Sequence, residues 1–312
     1  MPPLRTAFTR MIAPALLLAG LLLAAPALSQ PAADGCGVRP ARVGVVEGSV
    51  ESGGDARAYR LYIPVSYDPN QPTALVFSLH GFASNPGQQA RFSGFDALAE
   101  TEGFIAVYPQ GAGLPLRWNA GIRGLNAASP VDDVAFISDL LDHLAGELCV
   151  DPTRVYMTGL SNGGGMSHRL ACALAERVAA IGTVAGAYPL PEDDACAPSR
   201  PVPVIAFHGT ADPIVPYEGS RSLAAAAAWA AAWAARNGCA PTPSSLPPSG
   251  SVSGVRYSGC AGGAEVVFYT VAGGGHTWPG GPALPALLVG STSSDVDASR
   301  LMWAFFQAHP LE

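Results

Sequence analysis

Gly159-Leu160-Ser161-Asn162-Gly163 is the segment of this chain best suited to nucleophilic chemistry. In a G-x-S-x-G run the two glycines make room for a strand to turn sharply into a helix, and the turn lifts the serine hydroxyl clear of the backbone. The pattern is short enough to arise by chance, so its flanks decide. Residues 154–158 read as a strand and 163–175 as a helix, which is the setting the turn requires.

A serine hydroxyl is a weak nucleophile until a base takes its proton, and the base needs a carboxylate to fix its tautomer. With this kind of elbow the partners follow on loops after later strands, in the order Ser, Asp, His. Asp212 stands just past the apolar run 204–207, in His208-Gly209-Thr210-Ala211-Asp212. His276 follows the run 266–271 on a glycine loop, Ala272-Gly273-Gly274-Gly275-His276-Thr277-Trp278-Pro279-Gly280. Ser161, Asp212 and His276 are therefore the expected catalytic residues. Two backbone N–H groups should face the developing oxyanion: that of Asn162 and one from His80-Gly81-Phe82-Ala83-Ser84, assigned to Phe82 with Ala83 as the alternative.

The remaining histidines compete weakly. His80 ends an early strand and is expected to shape the oxyanion loop, His143 and His168 fall within helices, His208 ends a strand and His309 lies beside the C-terminus. Asp295 and Asp297 rival Asp212 only weakly, since they follow the histidine and are expected to open the last helix. Asp132 and Asp133 are expected to favour a helix N-terminus in the same way.

The elements that must position these groups alternate along the chain. Short continuous apolar runs at 74–79, 104–108, 155–158, 178–185 and 202–207 predict buried strands. Helical patterns at 88–102, 131–148, 163–175 and 220–236 lie between them, the second opened by Ser129-Pro130. A hairpin over 252–257 and 265–271 and a helix over 294–309 complete the order. Strands alternating with helices predict an α/β protein with a mostly parallel, doubly wound sheet in a single domain. The Pro/Ser-rich stretch 240–254 reads as a surface loop stapled by the cysteines on either side, and Trp229 and Trp233, four apart, read as core packing.

Composition narrows the function classes. Of 312 residues, all 17 cations are arginine and none is lysine, against 24 acids and a net charge of −7. Absence of lysine excludes Schiff-base chemistry and a P-loop, and the acidic balance argues against nucleic acid as a partner. Residues 1–29 carry Arg5 and Arg10, an apolar stretch over 11–28 interrupted by Pro14 and Pro26, and Ala27-Leu28-Ser29. This predicts a secretory signal peptide and not a membrane anchor, leaving 30–312 as the mature domain, extracellular or periplasmic, with no membrane span after cleavage. An even count of six cysteines (Cys36, Cys149, Cys172, Cys196, Cys239, Cys260) in an exported chain predicts three disulfides. The pairings number 15 and the sequence does not select among them; Cys172–Cys196 and Cys239–Cys260 are taken first, leaving Cys36–Cys149. No CxxC spacing or clustered histidine suggests a metal.

Four motifs in order now carry a resemblance: Gly159-Leu160-Ser161-Asn162-Gly163-Gly164-Gly165-Met166, Val131-Asp132-Asp133-Val134-Ala135-Phe136-Ile137, His208-Gly209-Thr210-Ala211-Asp212 and Gly274-Gly275-His276-Thr277-Trp278-Pro279-Gly280. Together they resemble the secreted esterase family that contains polyhydroxybutyrate depolymerase-like enzymes, feruloyl esterases and acetylxylan esterases. The resemblance extends from about Tyr59 to the end of the chain. It implies an α/β-hydrolase fold, no cofactor, and a triad on Ser161, Asp212 and His276. Feruloyl or other plant cell-wall esters are the first expected substrates, and short polyhydroxyalkanoate esters the second. An acyltransferase with the same triad is the alternative reaction. Trp118, Trp278 and the apolar loop 284–289 are expected to wall the substrate pocket.

Overall fold

In the computed structural model the described residues are 35–38, 42–122 and 131–312. The expected signal peptide and the Ser129-Pro130 cap lie outside them. Ten strands form one sheet among the described residues. In chain order they are β1 (Gly44–Ser52), β2 (Asp55–Ile63), β3 (Thr73–Leu79), β4 (Ile105–Pro109), β5 (Val150–Leu160), β6 (Ala180–Val184), β7 (Val204–Gly209), β8 (Ser244–Ser249), β9 (Val252–Tyr257) and β10 (Val266–Val271). Their order across the sheet is β1-β2-β4-β3-β5-β6-β7-β10-β9-β8. The six central strands from β4 to β10 run parallel, and antiparallel pairs close both edges.

Among the described residues seven α-helices accompany the sheet: α1 (Pro86–Ser93), α2 (Phe95–Glu102), α3 (Asp133–Glu147), α4 (Asn162–Ala173), α5 (Ala226–Arg236), the single turn α6 (Ala286–Val289) and α7 (Ala298–Gln307). Successive residues of a strand face opposite ways, and β3 shows how that divides the core. Leu75, Phe77 and Leu79 pack with Phe136 of α3, Met166 and Leu170 of α4 and Trp233 of α5. Ala74 and Val76 pack with Ala90 of α1, Phe95 of α2 and Trp303 of α7. Apolar runs without alternation are thus strands covered on both faces.

The five expected strands all form, and the differences elsewhere have local causes. The pattern read as one helix over 88–102 is two, because Gly94 adopts φ 65° and its N–H closes α1 on Ala90 O. Residues 220–225 turn instead of extending α5, with Ser220 N–H bonded to Leu223 O. The stretch 240–254 holds an edge strand, β8, whose Pro247 and Pro248 sit where its pairing with β9 is irregular. The N-terminal hairpin β1–β2 turns on Gly53-Gly54 with φ 61° and 87°, the geometry of a two-residue hairpin loop.

Three of the four aspartates expected at helix starts stand there, and Asp295 does not. Asp132 caps α3, accepting from the N–H groups of Val134 and Ala135. Asp133, the first residue of α3, is also buried, paired with Arg57 at 2.7 Å and accepting the Asn119 N–H. Asp297 caps α7 through Arg300 N–H, whereas Asp295 holds the β8–β9 turn by accepting from Ser251 N–H and Oγ–H. The six cysteines form Cys36–Cys149, Cys172–Cys196 and Cys239–Cys260.

Candidate active site

The chain leaves β3 for β4 on one side of it and returns to β5 on the other. In open α/β sheets ligands bind at such a switch, outside the carboxyl ends of the strands, here those of β3 and β5. Gly81 follows β3 and Ser161 follows β5, and a Cβ on Gly81 would stand 3.5 Å from Ser161 Cβ. Because β5, β6, β7 and β10 are parallel, the loops carrying Asp212 and His276 emerge on the same edge of the sheet.

Ser161 itself is strained. Its φ of 57° and ψ of −118° are unusual for a residue with a Cβ. The surroundings over-determine that conformation: Ser161 N–H donates to Val184 O at 2.9 Å, and Ser161 O accepts from Gly165 and Ala187 at 3.0 Å each. A Cβ on Gly163 would lie 2.1 Å from Leu79 O, and one on Gly159 2.5 Å from the Gly163 carbonyl carbon. Both glycines are therefore required for α4 to start so close to β3.

Asp212 and His276 meet at 2.8 Å, Nδ1–H donating to Oδ2. Asp212 Oδ1 accepts the N–H groups of Ile214 and Val215, each at 2.8 Å. Burial pushes the carboxyl upward, but hydrogen bonds from His208 and His276, the charge of His276 and the Val215 N–H outweigh it. The group is held well below the usual carboxylate range. Neither Ser161 Oγ nor His276 Nε2 has a hydrogen-bond partner among the described residues. Contacts of this kind commonly tighten only when substrate binds.

Two amides are free to receive an oxyanion. Asn162 opens α4, so its N–H has no partner within the helix. Its side chain is clamped to Trp118, accepting the Trp118 N–H at 2.7 Å and donating to Trp118 O at 3.1 Å. Of the two candidates after β3, the Ala83 N–H is spent on Leu116 O at 2.9 Å. The Phe82 N–H has no acceptor among the described residues. His80 braces this loop: Gly111 N–H donates to Nε2 at 2.9 Å, which makes Nδ1 the protonated nitrogen that donates to Gly81 O at 2.8 Å.

Trp118 and Trp278 do not wall a pocket. Trp118 is 0% exposed, stacked on Phe136 with its indole N–H on His80 O. Trp278 is 3% exposed, packed edge-on against Phe95 and donating to Ser299 Oγ. Both are structural because loops that carry catalytic groups need a rigid base, and a buried indole supplies area and one hydrogen bond. The loop 284–289 lies beside His276. It includes α6, whose Val289 O accepts the His276 N–H, and whose Leu287 and Leu288 are exposed.

The other histidines are engaged elsewhere. His143 Nε2 pairs with Tyr59 OH, His309 Nδ1 with Phe305 O, and His168 accepts two indole N–H groups, from Trp229 and Trp233. His168 also lies near Cys172 and Cys196, but those sulfurs are joined to each other and offer no thiolate to a metal. Only His208 approaches Asp212, a contact that reading along the chain does not show.

Comparison with known proteins places the chain. Residues 57–215 match the family model described as Esterase PHB depolymerase. Feruloyl esterase C of Emericella nidulans is 34% identical over 282 residues, covering 88% of this chain and 90% of that protein. Feruloyl esterase D of Neurospora crassa is 31% identical over 271 residues, covering 82% and 86%. Among solved structures, an acetyl xylan esterase from Aspergillus awamori superposes with a TM-score of 0.61 at 14% identity, over 84% of this chain and 99% of that one, which shows the shared fold. The chain belongs to the Esterase PHB depolymerase family and is a carboxylic ester hydrolase of the α/β-hydrolase fold.

Proposed function

We propose that the protein is an exported serine esterase that cleaves esters of bulky apolar or aromatic acids, feruloyl esters first, through an acyl-enzyme on Ser161. The observation that carries the reading is the Asp212–His276 hydrogen bond on the same sheet edge as the strained Ser161. In this mechanism His276 Nε2 takes the Ser161 proton as Oγ attacks the ester carbonyl, and Asp212 holds the imidazole by Nδ1–H. The N–H groups of Phe82 and Asn162 receive the oxyanion. Collapse of the tetrahedral intermediate releases the alcohol, which takes its proton from His276. Water, deprotonated by the same nitrogen, then releases the acid and restores Ser161.

Substrate class is supported by the side chains around the site. Five large apolar side chains are exposed on loops that hold it: Phe82 after β3, Leu114 near Leu116, Ile214 beside Asp212, and Leu287 and Leu288 on α6. Taken together as an apolar collar for the substrate, these side chains favour an acid or alcohol with apolar surface over acetate. The collar serves a hydroxybutyrate oligomer as well as a ferulate, and the family description keeps that second reading open. Three disulfides and the export signal read in residues 1–29 support an oxidising compartment, with 30–312 as the mature domain.

The test compares methyl ferulate, p-nitrophenyl acetate and hydroxybutyrate oligomers on wild type, Ser161→Ala and the double variant Leu287→Ser/Leu288→Ser. Ser161→Ala should abolish turnover of all three, and retained turnover refutes the nucleophile. The double variant should raise KM for methyl ferulate about thirtyfold, from loss of two apolar contacts of roughly 1 kcal/mol each, and leave p-nitrophenyl acetate unchanged. Equal effects on both substrates refute the collar as a substrate surface.

A further inference from the structure

His208 is a buried histidine with an assigned proton and an unused nitrogen. It closes β7, four residues before Asp212, and only 2% of it is exposed. Its Nε2 lies 2.9 Å from Val215 O and 3.5 Å from Asp212 Oδ2. A carbonyl can only accept, so Nε2 carries the hydrogen and donates it to Val215 O, with Asp212 Oδ2 as a longer second contact. The opposite nitrogen, Nδ1, is buried without a hydrogen-bond partner among the described residues. Tyr217 meets the ring edge-on at 5.9 Å, and its hydroxyl is tied to Thr270 Oγ1 of β10 at 2.8 Å.

These contacts close a small circuit around the carboxylate. Val215 N–H donates to Asp212 Oδ1 together with Ile214 N–H, Val215 O accepts from His208, and His208 Nε2 lies 3.5 Å from the other carboxylate oxygen, Asp212 Oδ2. Oδ2 is the oxygen that receives His276 Nδ1–H at 2.8 Å. Backbone amides alone would fix Oδ1 and leave the plane of the carboxylate free to rotate about it. A second N–H near Oδ2 removes that freedom. A side chain that served only to fill space would need no donor here, and burying a nitrogen without a partner costs free energy that a leucine or phenylalanine would avoid.

We infer that His208 is a positioning residue for catalysis: its Nε2–H sets the orientation of the Asp212 carboxylate that aligns His276. The inference rests on the proposed roles of Ser161, Asp212 and His276, and it adds a fourth side chain whose effect passes through Asp212.

The test uses His208→Phe, His208→Gln and His208→Asn in the full-length protein. Glutamine places an amide N–H near the position of Nε2, phenylalanine keeps the ring without a donor, and asparagine has a donor too short to reach Oδ2. Steady-state kinetics on methyl ferulate should show kcat reduced about 10- to 100-fold in His208→Phe and His208→Asn with KM within twofold, since small misplacements of a catalytic group cost rate on that scale. His208→Gln should stay within about threefold of wild type. The proton NMR resonance of His276 Nδ1–H, displaced far downfield by its short bond to a carboxylate, should persist in His208→Gln and shift or vanish in His208→Asn. A space-filling role alone would leave that resonance in place. Wild-type kcat with an unmoved resonance in His208→Asn overturns the inference, as does a loss in His208→Gln equal to that in His208→Asn. The glutamine–asparagine pair decides the matter even if the phenylalanine variant does not fold. Full turnover in Asp212→Ala would instead refute the triad itself, so the two failures are distinct.

Discussion

His80 is wholly buried with both ring nitrogens committed, one to Gly111 N–H and the other to Gly81 O, so its charge state is coupled to folding. Burial lowers its pKa to about 4, against the opposing pull of the Gly81 carbonyl. A histidine in the unfolded chain titrates near 6.5, so between those values the unfolded state binds more protons. The stability this residue contributes is therefore complete above about pH 6.5 and declines as the pH falls toward 4. The gap corresponds to about 3 kcal/mol. Urea denaturation at pH 7.0, 5.5 and 4.5 should show most of that loss by pH 4.5, and His80→Gln should flatten the dependence over this interval. Parallel curves for the two proteins would show that His80 is not the group responsible. At this scale the sequence is informative about which residues stand just past a strand: Ser161, Asp212, His276, Phe82 and His80 are all placed that way by reading along the chain. The contacts of Asp133 and His208 are not readable that way, because their partners Arg57 and Asp212 are set by which strands lie side by side or by how a loop folds back. Trp118 and Trp278 were misread because a loop position suggests access, whereas both indoles are packed inward.

Each central element was legible as far as its hydrophobic pattern was continuous, and the edges were harder. β1 exposes alternate residues and β8 is almost wholly exposed, so neither shows the run that marks a buried strand. The Gly53-Gly54 pair was nevertheless a usable hairpin signal for β1–β2. Gly94 hid a break inside a helical pattern because a single glycine is compatible with either a helix or its end. Glycines in helices separate sharply by what surrounds them, and two substitutions exploit this. A Cβ on Gly163 would meet the Leu79 carbonyl oxygen at 2.1 Å, and backbone cannot yield as a side chain tip can. Gly163→Ala should therefore cost about 3 kcal/mol or more and separate α4 from β3. Gly146, near the end of α3, has nothing within 4 Å of the same position and ordinary helical backbone. Gly146→Ala should stabilise the protein by roughly 0.5–1 kcal/mol, since alanine loses less conformational freedom on folding. Thermal melts of the two variants should move in opposite directions; a neutral Gly163→Ala would show that the elbow tolerates a wider separation of strand and helix.

Over the whole molecule, the cations and the cysteines show how an exported, lysine-free chain is held together. Arginine's planar fork is used where one lysine amine could not serve: Arg200 bonds the carbonyls of Ala175, Val178, Ala179 and Pro201, and Arg57 joins Asp133 and Gln110 O while lying 4.0 Å from the Phe136 ring centre. The disulfides divide by the length of chain they close. Cys239–Cys260 spans 21 residues around the β8–β9 edge hairpin, whereas Cys36–Cys149 spans 113 and ties the start of the described chain to the residue before β5. In the chain-entropy account a crosslink stabilises mainly by restricting the unfolded state, and the restriction grows with the logarithm of the loop. The longer loop should therefore contribute about 1.5 kcal/mol more than the shorter one. The pairs also differ in what local unfolding would release. Loss of Cys239–Cys260 frees an edge strand remote in sequence from Ser161, whereas loss of Cys36–Cys149 loosens the entry to β5, the strand that leads to Ser161. Serine double variants of each pair, compared by urea denaturation, should both remain esterases at neutral pH, with the Cys36/Cys149 variant unfolding at the lower urea concentration. The reverse order would mean that contacts made by the β8–β9 edge in the folded state, and not unfolded-chain entropy, decide what each crosslink is worth.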